Sequence, residues 1–203
     1  MSIGTKILNK IVSLAQATGG QVEGNKDVTD EMKNLARTAA EEGVVMLKND
    51  GALPLSENDV VAVFGRVQND WFYVGYGSGG DVKPPYKVNL IEGLENEGVK
   101  IDETLKKIYA DWSVKNVPYE GFWGHWPFHF DEMPLSDKVV GEAARRANKA
   151  IVVIGRAAGE DREQKLEKGS FYLTDEEKKM LSVVTKNFNS TILIIDNGNI
   201  MDL

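Results

Sequence analysis

The chain has 203 residues, enough for one domain with a full core and short of the usual size for two. Its 24 Lys and Arg against 31 Asp and Glu leave a formal net charge of −7 with no basic block, which argues against a surface that tracks nucleic-acid phosphates. It has no cysteine, which excludes disulfides and thiolate metal sites, and no apolar run approaches the roughly 18 residues of a membrane helix.

At the amino terminus Ile7, Leu8, Ile11, Leu14 and Ala15 recur at helical spacing and predict an amphipathic helix over 5–17. Ala15-Gln16-Ala17 mimics a secretory cleavage site, but Asn9 and Lys10 interrupt the apolar core that a signal peptide needs, so a cytoplasmic location is the default expectation. Gly19-Gly20 ends this helix. Residues 1–28 are expected to form a leader and linker, and residues 29–203 the domain proper.

Thr29 caps a stronger helix with Asp30 and Glu31 in its first turn. Met32, Leu35, Ala36, Ala39, Ala40, Val44 and Leu47 make one apolar stripe, small enough for close packing on a sheet. Residues 60–64 read as a buried strand. A long loop follows over 65–85, and its aromatics Trp71, Phe72, Tyr73 and Tyr76 argue for order and a use. A short helix over 89–96, a strand over 99–102 and a helix over 103–114 come next. Residues 119–130 are aromatic and aperiodic, and Ser136 caps a helix to about 148.

The apolar, β-branched run over 151–154 ends at Gly155 and reads as a strand buried on both faces, as in a parallel sheet. Thr174 and Glu177 form a capping box that opens another helix, and residues 191–195 are the last strand. This alternation predicts an α/β fold, a doubly wound, mostly parallel sheet flanked by helices. A sheet ending at residue 195 would leave an apolar edge, so the sheet is expected to be incomplete at its C-terminal end and the polypeptide to continue. Such an uncovered edge is also a route to self-association.

Ligands of open parallel sheets bind beyond the carboxyl ends of the strands. Glu160, in the loop after the central strand, stands where such a protein would keep a working carboxylate. Taken alone, the loop with Arg156, Asp161, Arg162 and Glu163 reads first as a solvated run of ion pairs. A catalytic reading needs a carboxyl held protonated near neutral pH, and Arg156 and Arg162 oppose that unless they point at Asp161 and Glu163. Gly75, Gly77 and Gly80 match G-x-G-x-x-G, with Asp102 about twenty residues on, so a Rossmann-like module that binds a nucleotide is an alternative. Against it, the first glycine sits ten residues past its strand and Pro84-Pro85 forbid a helix at the third. A loop that brings bare backbone and Ser78 close to a ligand is the other reading, and a plain surface turn the third. His125 and His129 flank Pro127 with no cysteine to complete a site, which reads as packing rather than zinc binding. The aromatics of 71–76, with Trp123 and Trp126, are either a platform for sugar rings or core.

Three stretches together add a family resemblance. Ala40-Glu41-Glu42-Gly43-Val44-Val45-Met46-Leu47-Lys48-Asn49 with Leu53-Pro54-Leu55 resembles the segment that opens the α/β sandwich domain of glycoside hydrolase family 3. Gly75-Tyr76-Gly77-Ser78-Gly79 resembles that family's glycine-serine loop. Gly155-Arg156-Ala157-Ala158-Gly159-Glu160-Asp161-Arg162, followed by Lys168-Gly169-Ser170-Phe171-Tyr172-Leu173, is similar to its acid/base loop. The resemblance runs over roughly residues 35–203, in order and spacing.

The resemblance implies part of a retaining β-glucosidase, acting on β-glucosides or small oligosaccharides and sometimes xylosides. Retention needs two carboxylates about 5 Å apart, one attacking carbon and one donating and then accepting a proton. It implies Glu160 as acid/base, a nucleophilic aspartate on a separate (β/α)8 barrel that is absent here, and Ser78 as a residue reaching the sugar. Gly77, Arg156, Asp161, Arg162 and Tyr73 are the further candidates for the sugar pocket. No cofactor, metal, nucleic-acid or membrane partner is expected, and the chain alone is expected to be inactive. The order resembles the rearranged members in which the sandwich precedes the barrel. One departure is local: most members carry a glycine after the acid/base glutamate, where Asp161 stands here.

Overall fold

A computed structural model of the chain describes Ile7, Lys10 and residues 27–73, 75–76, 86–119, 121, 125–159 and 164–203. Of the helix expected over 5–17, only Ile7 and Lys10 are among these residues, and both are helical. The chain divides into two compact units, Met1–Gly51 with Lys83–Lys87, and Ala52–Val82 with Val88–Leu203.

In the first unit, helix α1 spans Asp30–Gly43, and the Thr29 hydroxyl accepts the N–H of Met32 at 3.2 Å, as the sequence predicts. One expectation fails here. The helix stops at Gly43 instead of reaching Leu47, because glycine followed by β-branched Val44 and Val45 favours extended backbone, which Val44 adopts at φ −73° and ψ 125°. No residue of α1 is buried. Five of its seven apolar positions are alanine or lie past the helix end, which leaves little area to drive burial.

The second unit is a four-stranded parallel sheet in the order β2-β1-β3-β4. Its strands are β1 (Val60–Phe64), β2 (Lys100–Ile101), β3 (Lys149–Arg156) and β4 (Thr191–Asn197). Between them run α2 (Leu90–Asn96), α3 (Glu103–Lys115), α4 (Asp137–Arg146) and α5 (Asp175–Asn187). Each helix starts on a side-chain cap, respectively Asn89, Asp102, Ser136 and Thr174, and both Asn89–Glu92 and Thr174–Glu177 form capping boxes. This is the α/β sandwich that the sequence predicts.

Alternation along the strands divides the core. Ala62, Phe64, Ala150, Val152 and Ile154 face a layer made by Leu105 and Tyr109 of α3, Val140 and Ala143 of α4, and Met180, Val183 and Val184 of α5. Val61, Val63, Ile151 and Val153 face the other way, onto Val67 and Ile91 of α2, with Trp71 and Phe72 beside them. Strand β3 is buried on both faces and pairs with β1 on one side and β4 on the other. It runs two residues further than its apolar core suggests, because Gly155 and Arg156 pair with Asp196 and Asn197.

The chain leaves β1 toward β2 on one side and later returns to β3 on the other. The strand order therefore reverses between β1 and β3, and the carboxyl ends of these two strands flank the crevice where open α/β sheets bind ligands.

Candidate site at the carboxyl ends of strands β1 and β3

Past β1 the chain turns at Gly65, whose φ of 105° suits glycine and whose missing Cβ makes room for the Val153 carbonyl. A single 3-10 turn, Arg66–Gln68, follows. The loop then crosses toward β3. Phe72 lays its ring over Gly155, stacks on Phe130 with centroids 4.8 Å apart, and donates its backbone N–H to Asp196 Oδ2 at 3.1 Å. Four residues on, Tyr76 donates its N–H to the Ala158 carbonyl at 2.7 Å and pairs with Gly159 as an isolated parallel bridge. Gly75 fits because its backbone passes close to Ala158: a Cβ there would sit 3.0 Å from that carbonyl oxygen.

The aromatic segment closes over the same place. Trp126 stacks on Tyr76 with rings 3° from parallel and centroids 5.3 Å apart, and the Phe128 carbonyl accepts the N–H of Ala157 at 2.7 Å. His129 packs its imidazole on the bare backbone of Gly169. The stem of the glycine-serine loop, the residues leading into 160 and the aromatic segment thus meet at the reversal of strand order.

Glu160, Ser78, Gly77, Asp161 and Arg162 lie outside the described residues. Tyr73 is inside them, about a third exposed, and burial followed by the charge of Glu92 raises its phenol pKa. Arg156, a candidate for the sugar pocket, has all five of its N–H groups engaged within the protein. Nε bonds the Ser170 carbonyl at 3.1 Å, Nη1 the Gly155 carbonyl at 2.8 Å and Glu177 Oε1 at 2.6 Å, and Nη2 the Tyr172 carbonyl at 3.4 Å and Glu177 Oε2 at 2.7 Å. A guanidinium carries five donors, and each has a partner within the protein here.

Two carboxyls with raised pKa values escaped the reading of the sequence. Asp196 ends β4 beside Phe72, and burial raises it to about 6 against the one opposing bond from the Phe72 N–H. Its position at a strand's carboxyl end was the available signal. Glu132 accepts the N–H groups of Arg66 and Met133, each at 2.7 Å, and burial still raises it to about 7. Nothing local in the sequence marks it. Arg66, itself buried, is held by Asp70 Oδ2 at 2.8 Å, the Asp131 carbonyl at 2.7 Å and the Asn116 carbonyl, with Trp112 under its guanidinium at 4.6 Å. Among the described residues no group of three His, Asp or Glu side chains is placed to hold a metal ion.

Comparison with known proteins agrees with this architecture. The profile of the glycosyl hydrolase family 3 C-terminal domain matches residues 44–203. A beta-glucosidase of Ruminococcus albus is 42% identical over 165 residues, covering 80% of this chain and 17% of that protein. Beta-glucosidase A of Butyrivibrio fibrisolvens is 34% identical over 207 residues, covering 89% of this chain and 24% of that one. Among solved structures, a beta-glucosidase from Paenibacillus barengoltzii superposes with a TM-score of 0.84 at 38% identity, over 88% of this chain and 20% of its own. Beta-glucosidase 3B from Thermotoga neapolitana, in complex with alpha-D-glucose, gives 0.77 at 33% identity, over 86% and 25%. The chain spans a quarter or less of the length of each of these proteins. With most of its residues matched by that profile, the chain belongs to glycosyl hydrolase family 3 as its C-terminal domain.

Proposed function

We propose that this domain serves a retaining β-glucosidase, supplying Glu160 as general acid/base and, through Ser78 and its neighbours, part of the sugar pocket. The nucleophile is an aspartate on a (β/α)8 barrel that this chain does not contain. The observation that carries the reading is the Tyr76 bridge to Ala158 and Gly159, which joins the stem of the glycine-serine loop to the residue preceding Glu160 at the reversal of strand order. The names of the relatives and the glucose complex of the Thermotoga protein support the same substrate class.

In this division of labour the barrel carboxylate attacks the anomeric carbon while Glu160 protonates the departing oxygen. Glu160 then takes a proton from the water that releases the sugar. The chain alone, lacking the nucleophile, hydrolyses nothing. The test is hydrolysis of aryl β-glucosides by the barrel-bearing polypeptide, wild type against Glu160→Ala. A loss that is mildest for leaving groups needing no protonation, with a β-glucosyl azide product when azide is added, is the expected result. Near-normal activity of the variant would move the acid elsewhere.

A further inference from the structure

The loop that leaves β3 is tied off at its base. Arg156, 3% exposed, bonds its own strand through the Gly155 carbonyl, the returning limb through the carbonyls of Ser170 and Tyr172, and α5 through both oxygens of Glu177. Glu177 is 5% exposed and is already engaged at the α5 N-terminus, accepting the Thr174 N–H at 2.8 Å. The returning limb carries a second tie, from the Lys165 N–H to Ser170 Oγ at 3.0 Å. On the outgoing limb, Ala157 and Ala158 are held by Phe128 and Tyr76. Both limbs are therefore fixed up to Gly159 and from Lys165 onward, and Glu160 follows Gly159 directly.

An ordinary stabilising role does not call for this arrangement. A buried ion pair is often matched or bettered in stability by apolar residues of similar volume. What an apolar pair cannot do is bond the end of β3, the returning limb and α5 at once, which the rigid guanidinium fork does. A general acid must in turn sit within hydrogen-bond reach of the oxygen it protonates, and displacements near 1 Å cost about a hundredfold in rate.

We infer that Arg156, clamped by Glu177, is a positioning residue for the acid/base function, acting by fixing the two described limbs of its loop, up to Gly159 and from Lys165 onward. This rests on the reading of Glu160 as acid/base, and the test separates the two. Two variants are made in the barrel-bearing polypeptide, Arg156→Lys and the double Arg156→Met/Glu177→Met, the second leaving no unpaired buried charge. For each, kcat/KM is measured on 2,4-dinitrophenyl β-glucoside, whose leaving group needs no proton, and on a β-glucoside with a poor leaving group. The expected result is a loss on the poor leaving group at least tenfold greater than on the dinitrophenyl substrate, in the same sense as Glu160→Ala. On this chain itself, Arg156→Lys is expected to speed exchange of the bonded limb amides of Ala157 and Lys165 at least tenfold, with the interior of β3 unchanged.

Equal losses on both substrates, beside a Glu160→Ala variant that discriminates, would overturn the positioning role and leave the acid/base reading intact. Unaltered exchange at Ala157 and Lys165 would do the same. A Glu160→Ala variant that itself fails to discriminate overturns the acid/base reading and the inference together.

Discussion

Phe72 and Gly155 share a space that admits no Cβ: one built on Gly155 would lie 2.8 Å from Cδ2 of the Phe72 ring and 3.0 Å from Cγ1 of Val67. The glycine thus lets the loop after β1 lie down on β3, where the same ring stacks on Phe130 and the Phe72 backbone N–H bonds Asp196.

Gly155→Ala is an overpacking substitution at this contact, expected to destabilise by about 1–3 kcal/mol. Adding Phe72→Leu, which opens room, should recover part of the loss, so the double variant is more stable than the sum of the singles. Urea unfolding of the four proteins measures this. Simple additivity would show that the ring does not depend on the glycine.

Gly65 combines a φ of 105° with a carbonyl from Val153 where its Cβ would point. Gly65→Ala faces backbone strain and a backbone clash together, and a loss of about 3 kcal/mol or more is expected. The unfolding midpoint checks it, with Gly43→Ala as the control, since nothing lies within 4 Å of a Cβ there.

Removing one partner of the Arg156–Glu177 pair strands the other charge. Glu177→Ala should cost about 3–5 kcal/mol, and Arg156→Met/Glu177→Met far less than that. Chemical denaturation of both variants decides, and similar costs for the two would mean that the pair itself stabilises the fold.

Glu132, raised from 4.5 to about 7, and Asp196, raised from 3.8 to about 6, keep protons in the folded state that the unfolded chain has already released. Between the two values for each group the native state binds more protons, so these carboxyls make stability fall as pH rises from about 4 to about 7. The top of that window belongs to Glu132. Glu132→Gln should flatten the dependence between about pH 6 and 7 and leave the lower part, which Asp196→Asn should flatten in turn. Urea midpoints taken between pH 4 and 8 give the profile, and a wild-type curve rising across this window would contradict it.

Where the sequence carries a local signal, the fold is legible in it. The run Val60–Phe64 announces its strand residue for residue, and Thr29, Ser136 and Thr174 announce their helices, because caps and apolar runs act over a few positions. The end of β3 is less legible. Gly155 and Arg156 extend the strand because Asp196 and Asn197 pair with them some forty residues later, a partner that no window around residue 155 contains. Arg156 shows the same limit in the site. Beside Glu160 it looks like a group aimed at a ligand, whereas its carboxylate partner stands 21 positions away and is recognisable only as half of a capping box. Glu132 belongs with it, since its raised pKa comes from what the fold places around it and not from its neighbours in the chain.

Strand β3 has hydrogen-bonded neighbours along both sides, four register pairs with β1 and seven with β4. Fraying at β4 leaves the ladder to β1 closed, and fraying at β1 leaves the ladder to β4. Its interior amides should therefore be among the last to open and should report global rather than local unfolding. The loop that emerges at Arg156 is in consequence rooted in the most persistent strand of the sheet, whatever excursions the surface around it makes.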